Sequence, residues 1–376
     1  TVTHSTHKLL AALSQASMIH IRSGKVPVKP ALFNEAFMMH TSTSPQYSIL
    51  ASTDVSAKMM DDAGEYLTDE SIGEAIAFRQ AMVRLGNEVR KRKPQDWWFG
   101  VWQPDEVNGV PFADLDPQTL RQGDAWVLQP SASWHGFGDL GRDYCMLDPI
   151  KVTVLTPGQT LEGQMEASGI PAPLVSSFLS SRGIVVEKTE PYSILLLFSL
   201  GVTKGKWGSL VAGLMEFKKH YDSNASLELV MPELVASHGE RYAGMGLKDL
   251  ADAMHQDMLA SKLLHNMDAA FSLLPDVVSS PRATFAKLVK GQIEQIAVRD
   301  MLDRTVAVQV VPYPPGIPLM MPGEKAGADK QAIIDYLLAM ELFDSHFPGF
   351  EHDNHGVEIE RDGQGGLTYR VYVVKQ

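Results

Sequence analysis

Ser5-Thr6-His7-Lys8 sets a lysine directly behind two hydroxyls and an imidazole, with Leu9-Leu10-Ala11-Ala12-Leu13 after it. An amine at such a packed boundary suits nucleophilic chemistry, because burial frees the neutral amine to attack a carbonyl and form a Schiff base. A second hydroxyl cluster, Thr41-Ser42-Thr43-Ser44-Pro45, fits the start of a helix, with Ser44 as cap and Pro45 in the first turn. The same hydroxyls suit a phosphate at a helix N-terminus, and capping explains them equally well. Glu187 interrupts an apolar stretch; it is either a strand-end carboxylate in water or one placed in a site for a cation.

Other patterns are weaker. Gly201-Val202-Thr203-Lys204-Gly205-Lys206-Trp207 has three residues between its glycines and Trp where a magnesium-binding hydroxyl belongs, so it reads as a strand-to-helix turn rather than a phosphate loop. The pairs His4/His7 and His352/His355 lack the Cys or carboxylate partners of a zinc site and read as structural or surface histidines. Pro312-Tyr313-Pro314-Pro315-Gly316-Ile317-Pro318 reads as a rigid scaffold loop.

The elements that must position these residues fit a chain of 376 residues with room for a large core. Its net charge of −12 argues against a nucleic-acid partner. Cys145 is the single cysteine, which points to a reducing, cytoplasmic setting. No apolar run is long enough for a membrane span, and the N-terminus does not read as a signal peptide. Thr1 reads as the start of a fragment, a cleavage product or an N-terminal nucleophile.

A strand or buried turn is expected over 9–21, and helices over 33–40, about 46–62 and about 70–92, with a domain boundary at Asp62-Ala63-Gly64. The tryptophan-rich segment 94–145 reads as core or interface anchors. Strands are expected at 151–155, 183–188, 192–200 and 305–311, and helices after Pro171 and over 205–221, 246–260, 264–274, 282–290 and 327–345. A hairpin over 356–374 turns around Asp362-Gly363. Strands alternating with helices indicate an α/β layered structure.

Several motifs taken together resemble the bacterial Orn/Lys/Arg decarboxylases, pyridoxal-phosphate enzymes of the aspartate-aminotransferase-like group. They are Ser5-Thr6-His7-Lys8, the run from Phe33 through Met38-Met39-His40 to Pro45, Trp134-His135-Gly136-Phe137, Leu147-Asp148-Pro149-Ile150-Lys151, Gly183-Ile184-Val185-Val186-Glu187-Lys188, Lys204-Gly205-Lys206-Trp207, Tyr313-Pro314-Pro315-Gly316 and Phe347-Pro348-Gly349-Phe350. The resemblance covers essentially the whole chain, is nearest to the lysine decarboxylases, and looks like the C-terminal half of such an enzyme.

That resemblance implies a fold of mixed α/β and α+β type. Residues 1–63 would be the end of an aspartate-aminotransferase-like cofactor domain, and 64–376 an α/β C-terminal domain. Lys8 would be the Schiff-base lysine, and His7 would lie beside the cofactor as a proton donor. Ser5 would contact the cofactor phosphate, and Ser42 and Thr43 would approach a partner subunit's cofactor. Glu187 would read the distal ammonium of lysine or ornithine. The implied cofactor is pyridoxal 5'-phosphate, the substrate a small basic amino acid, and the partner a second copy in a homodimer or larger ring, with neither nucleic acid nor membrane involved. Ornithine and arginine remain alternative substrates, and an oligomerisation module without catalysis is the alternative of another class. Because the family's ring-nitrogen aspartate precedes its lysine, the chain alone is expected to be inactive and to bind the cofactor weakly or not at all.

Overall fold

In the computed structural model, which describes residues 1–130, 132–138, 140–142, 145–362 and 366–376, one long helix organises the chain. A small hairpin precedes it. Strand β1 (Val2–His4) pairs antiparallel with β2 (Met18–His20), and the single-turn helix α1 (Thr6–Leu9) sits in the loop between them. Helix α2 (Pro30–Met38) starts on a proline, which suits a first turn that needs no N–H donor.

Helix α3 then runs from Tyr47 to Arg92 without interruption over 46 residues. The break expected at Asp62-Ala63-Gly64 is absent, so the division drawn at 63/64 falls inside one helix. A single helical glycine costs only about 1 kcal/mol, too little to end a helix whose far half is anchored in the core. Ser44 is not its cap either: Gln46 occupies that position without a side-chain cap bond.

The two halves of α3 live in different surroundings. Between Tyr47 and Glu70 only Ser56 is buried, whereas Ser71, Ala75, Ile76, Phe78, Arg79, Gln80, Met82 and Gly86 are buried beyond it. Arg79 is fully buried and reaches three backbone carbonyls: Nε to Pro149 at 3.2 Å, one terminal nitrogen to Trp102 at 3.1 Å and the other to Lys151 at 2.9 Å. Its guanidinium also lies 5.2 Å from the Trp126 ring centroid. Burial pulls this group down to about 9, with the Asp148 charge acting in the opposite direction, so it stays a cation at neutral pH. Gln80 adds bonds to the carbonyls of Phe112 and Leu115.

The carbonyls that Arg79 holds belong to the first sheet. Its strands β3 (Gly100–Val101), β4 (Lys151–Leu155), β5 (Lys188–Thr189) and β6 (Ser193–Leu197) lie in the order β3-β4-β6-β5, with every pairing antiparallel. Val154 faces Ile194 across the β4–β6 pair, and Val152 faces Leu196. Their alternate buried residues meet helix α4 (Ala172–Ser180) and helix α5 (Lys204–Asp222). The strand expected over 183–188 begins only at Lys188, and Gly183 takes a left-handed φ of 75° beyond α4.

Short helices α6 (Leu227–Val230) and α7 (Pro232–Ser237) lead to α8 (Leu247–Ala260), α9 (Leu263–Phe271) and α10 (Pro281–Val289). Strand β7 (Ile293–Ala297) comes next, then β8 (Val311–Tyr313) and α11 (Gln331–His346). The strand expected over 305–311 is mostly replaced by isolated bridges from Thr305, Val306 and Val310 to three different partners. Strand β9 (Asp353–His355) pairs with β8, and β10 (Val357–Arg361) and β11 (Leu367–Val374) form the expected hairpin. Its turn residue Gly363 lies outside the described residues. The second sheet, β7-β11-β10, is also antiparallel. The fold is mixed α/β, with antiparallel sheets where alternating elements pointed to α/β layers. One apolar cluster runs from Ala75 on α3 to Val373 on β11, and a smaller one gathers Ile76, Phe112, Trp126 and Trp134.

The chain leaving α3 is tied down by Lys218 on α5, whose Nζ lies 2.8 Å from Asp96 and from Asp222 and 4.5 Å from the Trp97 ring centroid. The bond from Lys218 holds the Asp96 carboxyl below its ordinary value. A depressed carboxyl contributes stability above its unfolded value and loses it as pH falls through the folded one. Asp96→Asn should therefore flatten the acid limb of a stability-against-pH curve below about pH 4, read by urea unfolding at stepped pH. Arg79→Met removes the donors to the carbonyls of Trp102, Pro149 and Lys151 and should lower stability by roughly 2–4 kcal/mol, seen as a lower urea midpoint at unchanged slope.

Candidate active site

Lys8 owes its position to two sets of contacts. The β1–β2 hairpin brackets its loop, with Val2 opposite His20 and His4 opposite Met18. The exposed half of α3 holds the segment after the lysine: Leu13 N–H donates to Ser52 Oγ at 3.0 Å, and Ser56 donates to the Leu10 carbonyl. Within α1, Lys8 N–H donates to the Ser5 carbonyl at 3.1 Å, closing the single turn. Ser5 occupies the cap position, but its hydroxyl makes no cap bond.

His7 Nδ1 lies 2.9 Å from the carbonyl of Ala16. A carbonyl only accepts, so Nδ1 carries the proton and Nε2 is the free nitrogen of the neutral ring. Thr6 is 1% exposed and its Oγ1 has no partner among the described residues, which leaves a buried donor unsatisfied beside the lysine.

Lys8 Nζ lies 4.0 Å from Oε1 of Glu187. The backbone N–H of Glu187 donates to Leu195 at 3.0 Å, extending the pairing of β5 with β6 and fixing where its carboxylate starts. The two side chains are 65% and 42% exposed, so the pair adds little stability in water. Its content is positional: a free amine and a carboxylate from distant parts of the chain share one place.

Ser42 and Thr43 stand in the exposed turn between α2 and α3. Ser42 Oγ accepts from Ser44 N–H at 3.0 Å, and Thr41 donates to the Phe37 carbonyl at 3.1 Å. Among the described residues, no hydrogen bond or ion pair links Ser42 or Thr43 to Ser5, His7 or Lys8. The structure thus brings Lys8 and Glu187 together, keeps Ser5 and His7 on the same turn, and gives the second hydroxyl cluster only local bonds. Sequence reasoning did not single out Thr6, Ser52 or Ser56, whose role is visible only once the burial of one turn and the reach of α3 are known. His352, of the second histidine pair, is bound to the buried Asp344 at 2.5 Å.

An amine, an imidazole nitrogen and two unused hydroxyls on one turn form a donor set that fits an aldehyde-bearing phosphorylated cofactor. The exposed members of that set are the Lys8 amine and the Ser5 hydroxyl, which makes no cap bond within the turn.

The family model described as Orn/Lys/Arg decarboxylase, major domain, matches residues 1–206, and that described as Orn/Lys/Arg decarboxylase, C-terminal domain, matches residues 264–375. The similarity is therefore not confined to the family's C-terminal domain, and the major-domain match continues well past residue 63. The chain is 48% identical to the lysine decarboxylase LdcA of Pseudomonas aeruginosa, over 100% of its own length and 48% of that protein's. It is 44% identical to the biodegradative arginine decarboxylase of Escherichia coli, over 95% of its length and 48% of that protein's. Among solved structures, lysine decarboxylase A from Pseudomonas aeruginosa matches with a TM-score of 0.89 and 48% identity, covering 99% of this chain and 48% of that one. The chain spans about half the length of the curated relatives it matches.

Replacing Ser52 and Ser56 together by alanine should release the segment after Lys8 while leaving the core intact. Amide exchange at residues 9–16 should speed up, with global stability changed by no more than about 1–2 kcal/mol.

Proposed function

The chain belongs to the Orn/Lys/Arg decarboxylase family, and we propose that it carries the reactive lysine for pyridoxal-phosphate-dependent decarboxylation of a basic amino acid, most simply lysine to cadaverine. The observation that carries this reading is the approach of Lys8 Nζ to Glu187 at 4.0 Å. When bound, pyridoxal phosphate supplies the electron sink that makes loss of carbon dioxide from an α-amino acid accessible.

The chain's own residues divide the remaining work. Lys8 would be the residue that holds the cofactor covalently through its amine, and once free that amine would carry a proton to the substrate Cα. His7, held through Nδ1 by Ala16, offers Nε2 as a second proton carrier. The exposed hydroxyl of Ser5 is available to a phosphate, with Ser42 and Thr43 as donors toward a partner subunit's cofactor. Glu187 already attracts one ammonium, and a substrate ending in an ammonium takes the place of Lys8 before it. A terminal ammonium favours lysine or ornithine over arginine; ornithine and arginine remain the alternatives.

A second feature supports an oligomer. Met39, Tyr47, Leu50, Val55 and Tyr66 are 82%, 78%, 55%, 57% and 67% exposed along α2 and the outer half of α3. Such a run of apolar surface is usually covered. Lys8 and Glu187 are themselves open to water, whereas decarboxylation gains from a dry site. We therefore propose that a further protein surface closes over this site in the active form, and that the chain by itself turns over slowly or not at all. Among the described residues no helix is long and apolar enough to cross a membrane.

Incubation with pyridoxal phosphate, borohydride reduction and peptide mapping should place the label on Lys8, and Lys8→Arg should lose it. Label spread over other lysines with Lys8 unmodified would contradict the reading. In the active assembly, Glu187→Gln should raise KM for lysine by about ten- to a hundredfold with a smaller change in kcat, measured by carbon dioxide release from lysine, ornithine and arginine side by side.

A further inference from the structure

Away from Lys8, a small hairpin hangs beside the inner half of α3. Glu106–Val107 pairs antiparallel with Val110–Pro111, with Val107 opposite Val110, so Asn108 and Gly109 make the two-residue turn between them. Both take left-handed φ values, 52° at Asn108 and 77° at Gly109. Asn followed by Gly suits such a turn, since each tolerates positive φ at little cost. At the foot of the hairpin, Phe112 N–H donates to the Asp105 carbonyl at 2.8 Å. Phe112 is itself buried, and Gln80 donates to its carbonyl at 3.1 Å. The base of the hairpin is anchored in the smaller apolar cluster, and its tip is not.

The tip leaves two groups free to meet. Asn108 and Gly109 are exposed. Among the described residues, neither the Asn108 side chain nor the Gly109 N–H has a hydrogen-bond partner. A Cβ placed on Gly109 would meet no atom within 4 Å, so nothing crowds its nitrogen. The other five asparagines lack this combination. Asn34, Asn87 and Asn266 lie inside helices, where the following N–H is committed to the helix. Asn224 donates to Asp249, and the N–H that follows it donates to the His220 carbonyl at 2.9 Å. Asn354 is buried and donates to the Tyr369 hydroxyl. Asn108 is also the one asparagine that a glycine follows.

We propose that Asn108 is a site of spontaneous covalent modification, in which its side-chain amide closes onto the Gly109 nitrogen and opens again to isoaspartate and aspartate. The Gly109 nitrogen, having given up its proton, attacks the Asn108 side-chain carbonyl carbon. The new C–N bond closes a cyclic imide, the bond to the side-chain nitrogen breaks, and ammonia leaves with the proton. Water then adds to either imide carbonyl and breaks one C–N bond, giving aspartate or isoaspartate. Water is the only co-reactant and nothing is oxidised or reduced. Glycine obstructs the ring closure least, because it has no Cβ. The paired strands are two residues each, and so short a pair opens readily, which gives the turn the freedom that closure needs. Isoaspartate lengthens the backbone by one carbon, which removes the register of Val107 with Val110 while leaving the Phe112 anchor in place. The site is separate from Lys8 and does not depend on the function proposed for it.

Ageing the folded chain in warm, mildly alkaline buffer, followed by digestion and mass spectrometry, tests the assignment. The peptide carrying Asn108 should gain the mass of an NH2-to-OH exchange at least about tenfold faster than peptides carrying the other asparagines. Electron-transfer fragmentation should find isoaspartate beside aspartate at position 108, and Asn108→Gln should lose the gain. In the aged chain, amide exchange over 106–111 should speed up while the urea midpoint stays unchanged. The ageing rate of the unaltered chain carries the test even if Asn108→Gln disturbs the hairpin. An Asn108 peptide that ages no faster than the others, or one that yields aspartate without isoaspartate, would overturn the proposal.

Discussion

The hydrogen bonds from Arg79 to the carbonyls of Trp102, Pro149 and Lys151 are the fixed point of this molecule. They fasten the inner half of a 46-residue helix to the first sheet, using a buried cation held mainly by backbone carbonyls, with Gln103 Oε1 at 3.5 Å. A helix is stiff over this length, so fastening one half sets the direction of the other. The outer half of α3 buries almost nothing, yet its Ser52 and Ser56 hold the segment after Lys8. The sheet that Arg79 grips is also the sheet that carries Glu187 at its entry to β5. One buried side chain thus links the two parts of the chain whose side chains meet at 4.0 Å.

This arrangement separates rigidity from chemistry. The core from Ala75 to Val373 carries the stability, while the reactive turn sits on a short hairpin held by a handful of hydrogen bonds. An amine and a carboxylate that both face water contribute little to folding, so their placement opposite one another is best understood by what they bind. The free Nε2 of His7 and the unsatisfied hydroxyl of Thr6 lie on the same turn and share that logic.

Much of the scaffold was legible in the sequence because its periodicity was strong. Strands β4 and β6, helices α5, α8, α9 and α11, and the closing hairpin fall where alternation or helical spacing put them. The failures have local causes. Gly64 and the acidic residues around it looked like a linker, but a weak helix former cannot break a helix held by tertiary contacts. The apolar run at 305–311 looked like a strand, but its residues bridge to three different partners. Lys8 stood out as a candidate nucleophile from its type and neighbours, whereas His7 and Ser5 entered as candidate site residues only through the family resemblance. Glu187 stood out as a carboxylate in an apolar stretch, but its approach to Lys8 is visible only from the pairing of its backbone with Leu195 and the course of α3. Arg79 gave no sequence signal, since its partners are carbonyls from three separate segments.

The central claim is that α3 and the first sheet present Lys8 and Glu187 to the two ends of one basic amino acid. A crystal structure of the active assembly with pyridoxal phosphate and a non-reactive lysine analogue tests it most directly. The account predicts the cofactor at Lys8 and the analogue's side-chain ammonium within hydrogen-bond distance of the Glu187 carboxylate. A structure in which that ammonium is held by other groups, with Glu187 turned to solvent, would contradict it.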